Sequence, residues 1–402
     1  MSRTRLQPDA CPGAHSPTRA ADGDLIRVRL PGGVIGPGAL RALAGCAARV
    51  ATGRIELTSR GNVQLRGLRP GDRAPVRELQ AAGLLPSTTH ERVRNVVASP
   101  LSGLRGGVTD VRGRARALDE LLCATPELAE LPGRILFAID DGRGDTAAQR
   151  PDLCWLAQGP DAGILLVAGS PTRTGSDRAG IPALLVAAAR AFLEVRAAAG
   201  GTAWRAAEIA GAADAIAARV RQLGGAAAGT VAPVPPVALP AGSPLDDLVG
   251  AIERADGGAA AGAAAPLGEL TVAQLRTLAD LGEELVVTPW RTVVVPVATG
   301  STLDVLAAAG LVVDPRDPAM RVSACAGRPG CARSLADVRS DLRAALGART
   351  VPDGERVHVV GCGRACGSPH EAHLSVVATP DGYRAGAGPA RRTLGAALAV
   401  SR

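Results

Sequence analysis

The sequence predicts an α+β protein built on an internal duplication, and three observations predict it. The segment LRALAGCAARVATGRIELTSRGNVQL, beginning at Leu40, is echoed by LRTLADLGEELVVTPWRTVVVP, beginning at Leu275. In both, a helix opening on Leu-Arg leads into a strand, a Thr, a short turn carrying Arg60 or Arg291, and a second strand, with the register offset by one residue at the turn. LIRVRL at residues 25–30 alternates apolar and basic residues with the period of a strand. Near the C-terminus, four cysteines fall in Gly/Pro-bearing loops beside helix-like and strand-like segments.

Each element follows from its local pattern. Residues 1–22 are polar, Pro-containing and aperiodic, so a disordered tail is expected. Strand LIRVRL is closed by the turn PGGVIGPG, a helix runs from Gly38, and RIELTS with GNVQLRGL reads as a hairpin around Arg60. Residues 90–110 read as an Arg/Gly-rich loop. Helix ARALDELLCATPEL, strands RILFAIDD and GILLVAG, and a long Ala/Leu helix IPALLVAAARAFLEVRAAAG complete the first half. From 224 to 265 the chain turns to Ala, Gly and Pro, which marks a linker, interrupted by a short helical patch LDDLVGAIERA.

With 402 residues and 47% hydrophobic content the chain is long enough for two or three cores. No apolar run approaches the roughly 18 residues of a membrane span, and the first twenty residues lack a signal-peptide core. A cytoplasmic protein is expected. There is no lysine, so all 45 basic residues are arginine, and the net charge is +7. Nucleic acid is a poor partner for that charge: no long basic run occurs, and three Trp, two Phe and one Tyr provide no stacking surface. Scattered guanidinium forks fit a carboxylate-rich small molecule better.

Cys11, Cys46, Cys123 and Cys154 are scattered and read as ordinary free thiols. The other four are paired: Cys325 and Cys331 enclose five residues, and Cys362 and Cys366 enclose three. Four thiolates on loops suit a metal centre. Structural zinc sites use shorter gaps than the first pair, which favours an iron-sulfur cluster over a non-catalytic module stabilised by zinc on four cysteines, the reading of a different class.

This pair of pairs resembles the sulfite and nitrite reductase family, over nearly the whole chain from Asp24 onward. The resemblance implies duplicated ferredoxin-like half-domains plus sulfite/nitrite reductase-type α/β cluster-binding domains in a pseudo-twofold arrangement. The expected division is a first half-domain at 23–89, a first α/β domain at 90–223, a second half-domain at 266–315 and the cluster domain at 316–402. It further implies a 4Fe-4S cluster on Cys325, Cys331, Cys362 and Cys366, with sirohaem or a further iron beside it and Cys366 as the bridge to a sirohaem iron. LTSRGNVQLRG looks like the family's strand-turn at Arg60, HERVRNVVASPLSG like its RNV loop at Arg94 and Asn95, LPGRILFAIDD like its basic strand at Arg134, and VTPWRTVVV like the second-half counterpart at Arg291. Those five residues are the expected macrocycle contacts.

Leu136 stands where the reductases carry a second cation, and GCGRACGSPH lacks their Pro-Asn. These departures are similar to the cobalamin-pathway branch of the family. That branch implies an oxidoreductase converting precorrin-3A to precorrin-3B by oxygen-dependent hydroxylation and lactone formation. Its partners would be a precorrin-type tetrapyrrole, dioxygen, and an external donor such as ferredoxin or a flavoprotein reductase. A sirohaem-dependent nitrite or sulfite reductase is the alternative.

Overall fold

The computed structural model describes residues 9, 11–223, 229–230, 244–369 and 372–399. The first unit runs β1 (Thr18–Ala20), β2 (Gly23–Val28), β3 (Val34–Ile35), α1 (Pro37–Ala47), β4 (Arg54–Leu57), β5 (Val63–Leu68) and α2 (Ala74–Ala81). The next runs β6 (Val96–Ala98), α3 (Arg114–Cys123), β7 (Phe137–Asp140), β8 (Leu153–Ala157), β9 (Ala162–Val167), β10 (Ser170–Asp177), α4 (Ile181–Ala198), α5 (Ala212–Leu223) and β11 (Gly229–Thr230). The repeat follows as β12 (Gly250–Glu253), β13 (Ala259–Ala264), β14 (Glu269–Thr271), α6 (Val272–Asp280), β15 (Leu285–Val287), β16 (Thr292–Val295) and α7 (Thr302–Ala308). The last unit is β17 (Val322–Ala324), α8 (Val338–Gly347), β18 (Val357–Val360), β19 (Leu374–Thr379), β20 (Gly382–Ala385) and α9 (Leu394–Ala399).

The duplication is a structural fact. One sheet has the order β1-β2-β5-β4-β14 and its counterpart β12-β13-β16-β15-β3, so each unit lends its third strand to the other's sheet. Helices α1 and α6 pack on each other within a core shared by both sheets, where Leu40, Leu43, Leu275 and Leu278 meet Ile26, Ile55, Val63, Val287 and Val293. Helix α6 is locally specified by a capping box: Gln274 N donates to Thr271 Oγ1 at 3.1 Å while Gln274 Oε1 accepts from Thr271 N at 2.9 Å. The one-residue offset resolves at the turns. Thr58 N donates to Asn62 O and Thr288 N to Thr292 O, both at 2.9 Å, so Gly61 is matched with Arg291, both left-handed at φ 63° and 60°.

The two α/β units repeat each other as well. In one, β6, β7 and β8 are parallel and β9 returns antiparallel; in the other, β17, β18 and β19 are parallel and β20 returns antiparallel. Helices α3 and α8 are the respective crossovers between the first two strands.

Several expectations need correction. Within the expected tail, Thr18–Ala20 forms β1, Ala14 is buried, and Glu91 accepts from the backbone of Ala14 and His15. The Ala/Gly stretch expected as linker contains strands: β11, β12 and β13 lie in it, and 224–228 and 231–243 fall outside the described residues. In β13 Gly262 is required by close packing, since a Cβ there would lie 2.1 Å from Leu248 O. LDDLVGAIERA is a 3-10 turn leading into β12, not a helical patch. The loop at 90–110 contains β6. Arg134 lies in the turn ahead of β7 rather than on a strand, and Leu136 is buried.

Candidate functional site

All four paired cysteines lie in the two loops that leave the C-terminal ends of the adjacent parallel strands β17 and β18. Register aligns Ala324 with Val359, so Cys325 leaves its strand beside Val360, and Cys362 follows two residues after Val360 at the end of the neighbouring strand. Cys325 N donates to Val359 O at 3.0 Å and its Sγ accepts from Gly361 N at 3.2 Å. The loops interlock at Gly361, where a Cβ would sit 1.8 Å from Ser334 Oγ. None of the four thiols is in a disulfide; three are half-buried and Cys366 is exposed.

Two of the four ligand candidates are tethered through their carbonyls. Arg339 Nε donates to Cys325 O at 3.1 Å, and His358 Nε2 lies 3.1 Å from Cys366 O while its Nδ1 lies 2.8 Å from Ser323 Oγ. Burial lowers the His358 pKa, which favours the neutral ring, and both contacts accommodate it. His373 stands edge-on to it at 5.9 Å, whereas His370 lies outside the described residues. Among the described residues, no three His, Cys, Asp or Glu side chains converge as a single metal ion requires. Four separated thiols on two interlocked loops are instead a set that could hold a polynuclear cluster.

A cleft of about 440 Å³ opens directly beside this cradle. It is lined by Gly367, Ser368 and Pro369, which follow Cys366, by the turn of Pro289, Trp290 and Arg291, by Ser59, and by Gln149 from the first α/β unit. Arg321, Ser323 and Arg356 complete the wall on the cluster side. The Arg291 guanidinium has no hydrogen-bond or ion-pair partner among the described residues, and burial, then Arg339, lowers its pKa. Arg321 Nε is buried without a partner.

Next to Ser59, a second cationic group forms around Arg60. Burial, then Arg205, pushes the Arg60 pKa down to about 10, and no acceptor meets its guanidinium among the described residues. Arg27 and Arg29 face the same recess, with Cys11 close by. Arg29 is 1% exposed. Its Nη1 donates to Pro12 O at 2.6 Å and its Nε to Asn95 Oδ1 at 3.3 Å, but Nη2 has no partner, and neither does Arg27 Nε. Burial pushes the Arg29 pKa down to about 9. Buried guanidinium atoms without acceptors beside other cations are costly unless an anion completes them, so this group of arginines could take an anion such as a carboxylate.

Arg134 borders the recess, half-exposed, stacked 4.8 Å from the Trp204 ring and 3.6 Å from Asp9. Arg94 does not join it, and Asn95 touches it only through Arg29. Arg94 is buried and forks onto Asp119 with two contacts of 2.6 Å, which consumes its charge. Asn95 donates to Arg92 O and Gly133 O and accepts from Arg29 and Asn62, so its amide is spent on joining the units. Both side chains are thus engaged within the protein, unlike the Arg60 and Arg291 guanidinium groups. Sequence reasoning missed Arg27 and Arg29, although the alternation in LIRVRL places both on one face of the segment that forms β2 and its exit.

Residues 17–82 match the family described as the nitrite/sulfite reductase ferredoxin-like half domain. The chain is 27% identical over 393 residues to a precorrin-3B synthase from Sinorhizobium sp, covering 93% of this chain and 81% of that protein. Residues 17–82 thus carry the ferredoxin-like half domain of the nitrite and sulfite reductases. Ferredoxin–nitrite reductases from Leptolyngbya laminosa and Synechococcus elongatus are 31% and 34% identical over 123 and 130 residues, which is 24% and 25% of their own lengths. Among solved structures, Mycobacterium tuberculosis NirA superposes with a TM-score of 0.67 at 23% identity, over 89% of this chain and 71% of that one. The family fold, with its paired half-domains, is therefore shared by this enzyme. Among the described residues, no helix is long and apolar enough to cross a membrane.

Proposed function

We propose that this oxidoreductase converts precorrin-3A to precorrin-3B, with Cys325, Cys331, Cys362 and Cys366 holding a 4Fe-4S cluster. The observation that carries the reading is the cleft that joins the Arg291 turn to the segment leaving Cys366. The similarity to a precorrin-3B synthase along nearly the whole chain supports the same branch, whereas the nitrite reductases align over less than a third of it.

When bound, the cluster supplies electrons one at a time, drawn from an external donor of the ferredoxin or flavoprotein type. This chain's residues hold the substrate. Arg60, Arg27 and Arg29 take macrocycle carboxylates in the recess, and Arg291 takes another across the cleft. Arg134 guards the entrance. Their fixed geometry offsets the entropy of immobilising a flexible tetrapyrrole. In the overall reaction one oxygen atom of dioxygen enters the macrocycle as hydroxyl and the other leaves as water, consuming two electrons and two protons; a ring acetate then closes the lactone.

Leu136, buried ahead of β7, supports this reading over anion reduction, because the second cation that would flank a small anion is replaced by a core side chain. The test presents the iron-loaded protein, under reductant and air, with precorrin-3A and in parallel with nitrite and sulfite. Turnover of the precorrin alone is expected. Reduction of nitrite or sulfite with the precorrin untouched would return the chain to the reductases.

A further inference from the structure

One row of polar side chains crosses four adjacent strands of the first half-domain's sheet. Arg27 on β2, Gln64 on β5, Glu56 on β4 and Glu269 on β14 are successive register partners. They are hydrogen-bonded in series: Arg27 Nη2 donates to Gln64 Oε1 at 2.8 Å and Gln64 Nε2 to Glu56 Oε2 at 2.8 Å. From α8, Arg339 Nη1 donates to Glu56 Oε1 and to Glu269 Oε1, each at 2.6 Å, and Arg339 Nε reaches Cys325 O at 3.1 Å. Arg343 closes the far side on Glu269. A continuous path of four hydrogen bonds thus runs from the carboxylate recess to the backbone of a cluster-loop cysteine.

The duplication supplies an internal control. At the matching positions of the second sheet stand Gly262, Val294, Val286 and Val34, aligned by the same register. Val294 and Val286 pack with Leu101, Leu104, Leu248 and Ile252. An apolar row suffices to pack this face of the unit against an α/β neighbour. The polar row occurs on the sheet that meets the cysteine loops, where Gly330 O also accepts from Arg66 at 2.6 Å.

We infer that Arg339 is a positioning residue that tunes the reduction potential of the cluster, and that Gln64 transmits occupancy of the recess at Arg27 to it. This rests on the cluster and tetrapyrrole reading given above. A fixed cation at the Cys325 carbonyl stabilises the more negative, reduced cluster, and Glu56 tempers that cation. A carboxylate seated on Arg27 weakens the hydrogen bond Arg27 gives Gln64. It thereby leaves more negative charge on Glu56 and lowers the potential. Electrons are then held less tightly once substrate is in place.

The experiment is a redox titration of iron-loaded protein, followed by electron paramagnetic resonance, with and without uroporphyrin as an octacarboxylate probe. In the wild type the probe lowers the midpoint potential. Glu56→Gln, isosteric and still hydrogen-bonding, raises the probe-free midpoint at unchanged iron content. Gln64→Leu, which removes the hydrogen bond to Glu56, itself lowers the probe-free midpoint and still binds the probe by fluorescence quenching, yet shows no further shift when the probe binds. An unchanged midpoint in Glu56→Gln overturns the role of Arg339, and a surviving shift in Gln64→Leu overturns the transmission. If iron-loaded wild-type protein does not bind the probe, the tetrapyrrole reading and the transmission fail together, while Glu56→Gln still decides Arg339.

Discussion

Ser99 and Cys325 occupy the same place in the two halves of the chain. Each follows the first strand of its α/β unit, Ser99 N donating to Ile139 O at 3.1 Å and Cys325 N to Val359 O at 3.0 Å. Each side chain accepts from the neighbouring loop, Ser99 Oγ from Asp141 N at 3.1 Å and Cys325 Sγ from Gly361 N at 3.2 Å. In the first unit that loop closes on itself: Asp140 accepts from the backbone of Gly142, Gly144, Thr146 and Ala147. An aspartate knot thus fills the position that the second unit gives to thiols.

Cys325→Ser is therefore expected to abolish the iron complement, from roughly four irons per chain to near zero, while Ser99→Ala leaves it intact. Iron and sulfide analysis of the two variants after identical reconstitution checks the contrast. Equal iron in both would contradict the assignment of the second unit as the cluster unit.

Asp145 in the knot gives a pH signature. Burial, then the charge of Asp140, raises its carboxyl pKa to about 7. The native state then binds this proton more tightly than the unfolded chain does. The stability this group contributes is greatest below its unfolded pKa and falls as the pH climbs toward 7. Asp145→Asn, which keeps an acceptor for Ser99 Oγ and Thr146 N, should flatten the difference between urea midpoints at about pH 5 and about pH 8. A variant with the wild-type slope would show that Asp145 is ionised throughout.

Arg94 and Arg60 should separate stability from binding. Arg94→Ala leaves half-buried Asp119 without its partner and is expected to cost about 3 kcal/mol in denaturant unfolding, with no specific loss of tetrapyrrole affinity in the folded fraction.

Arg60→Gln removes a guanidinium that no protein group engages among the described residues, so unfolding should be little affected. Tetrapyrrole affinity should fall about 10- to 100-fold, the value of one charge-assisted hydrogen-bond pair. Fluorescence titration measures it, and an unchanged affinity would exclude Arg60 from the recess.

The contrast between these two arginines shows how far the sequence carries. The helix-strand-turn-strand echo and the cysteine spacing are local patterns, so the duplicated half-domains, the hairpin at Arg60 and the two cysteine loops were legible. The fate of Arg94 depends on Asp119, 25 residues away on α3, and no local pattern encodes that fork. Strand β13 was illegible because alanine and glycine carry no strand signal; its conformation is imposed by β12 and β16. Arg27, Gln64 and Glu56 alternate with apolar residues, a pattern that ordinarily marks a solvated strand face, and only the packing of α8 shows that face to be covered. The N-terminal segment read as a tail because its contacts, Glu91 above all, are distant in sequence.

The most direct test of the account is turnover of precorrin-3A by the iron-loaded protein under isotopically labelled dioxygen, read by mass spectrometry. One labelled oxygen atom in the hydroxylactone product is the predicted result. A product that takes its new oxygen from water, or a precorrin returned unchanged by protein whose cluster is intact and reducible, would contradict it.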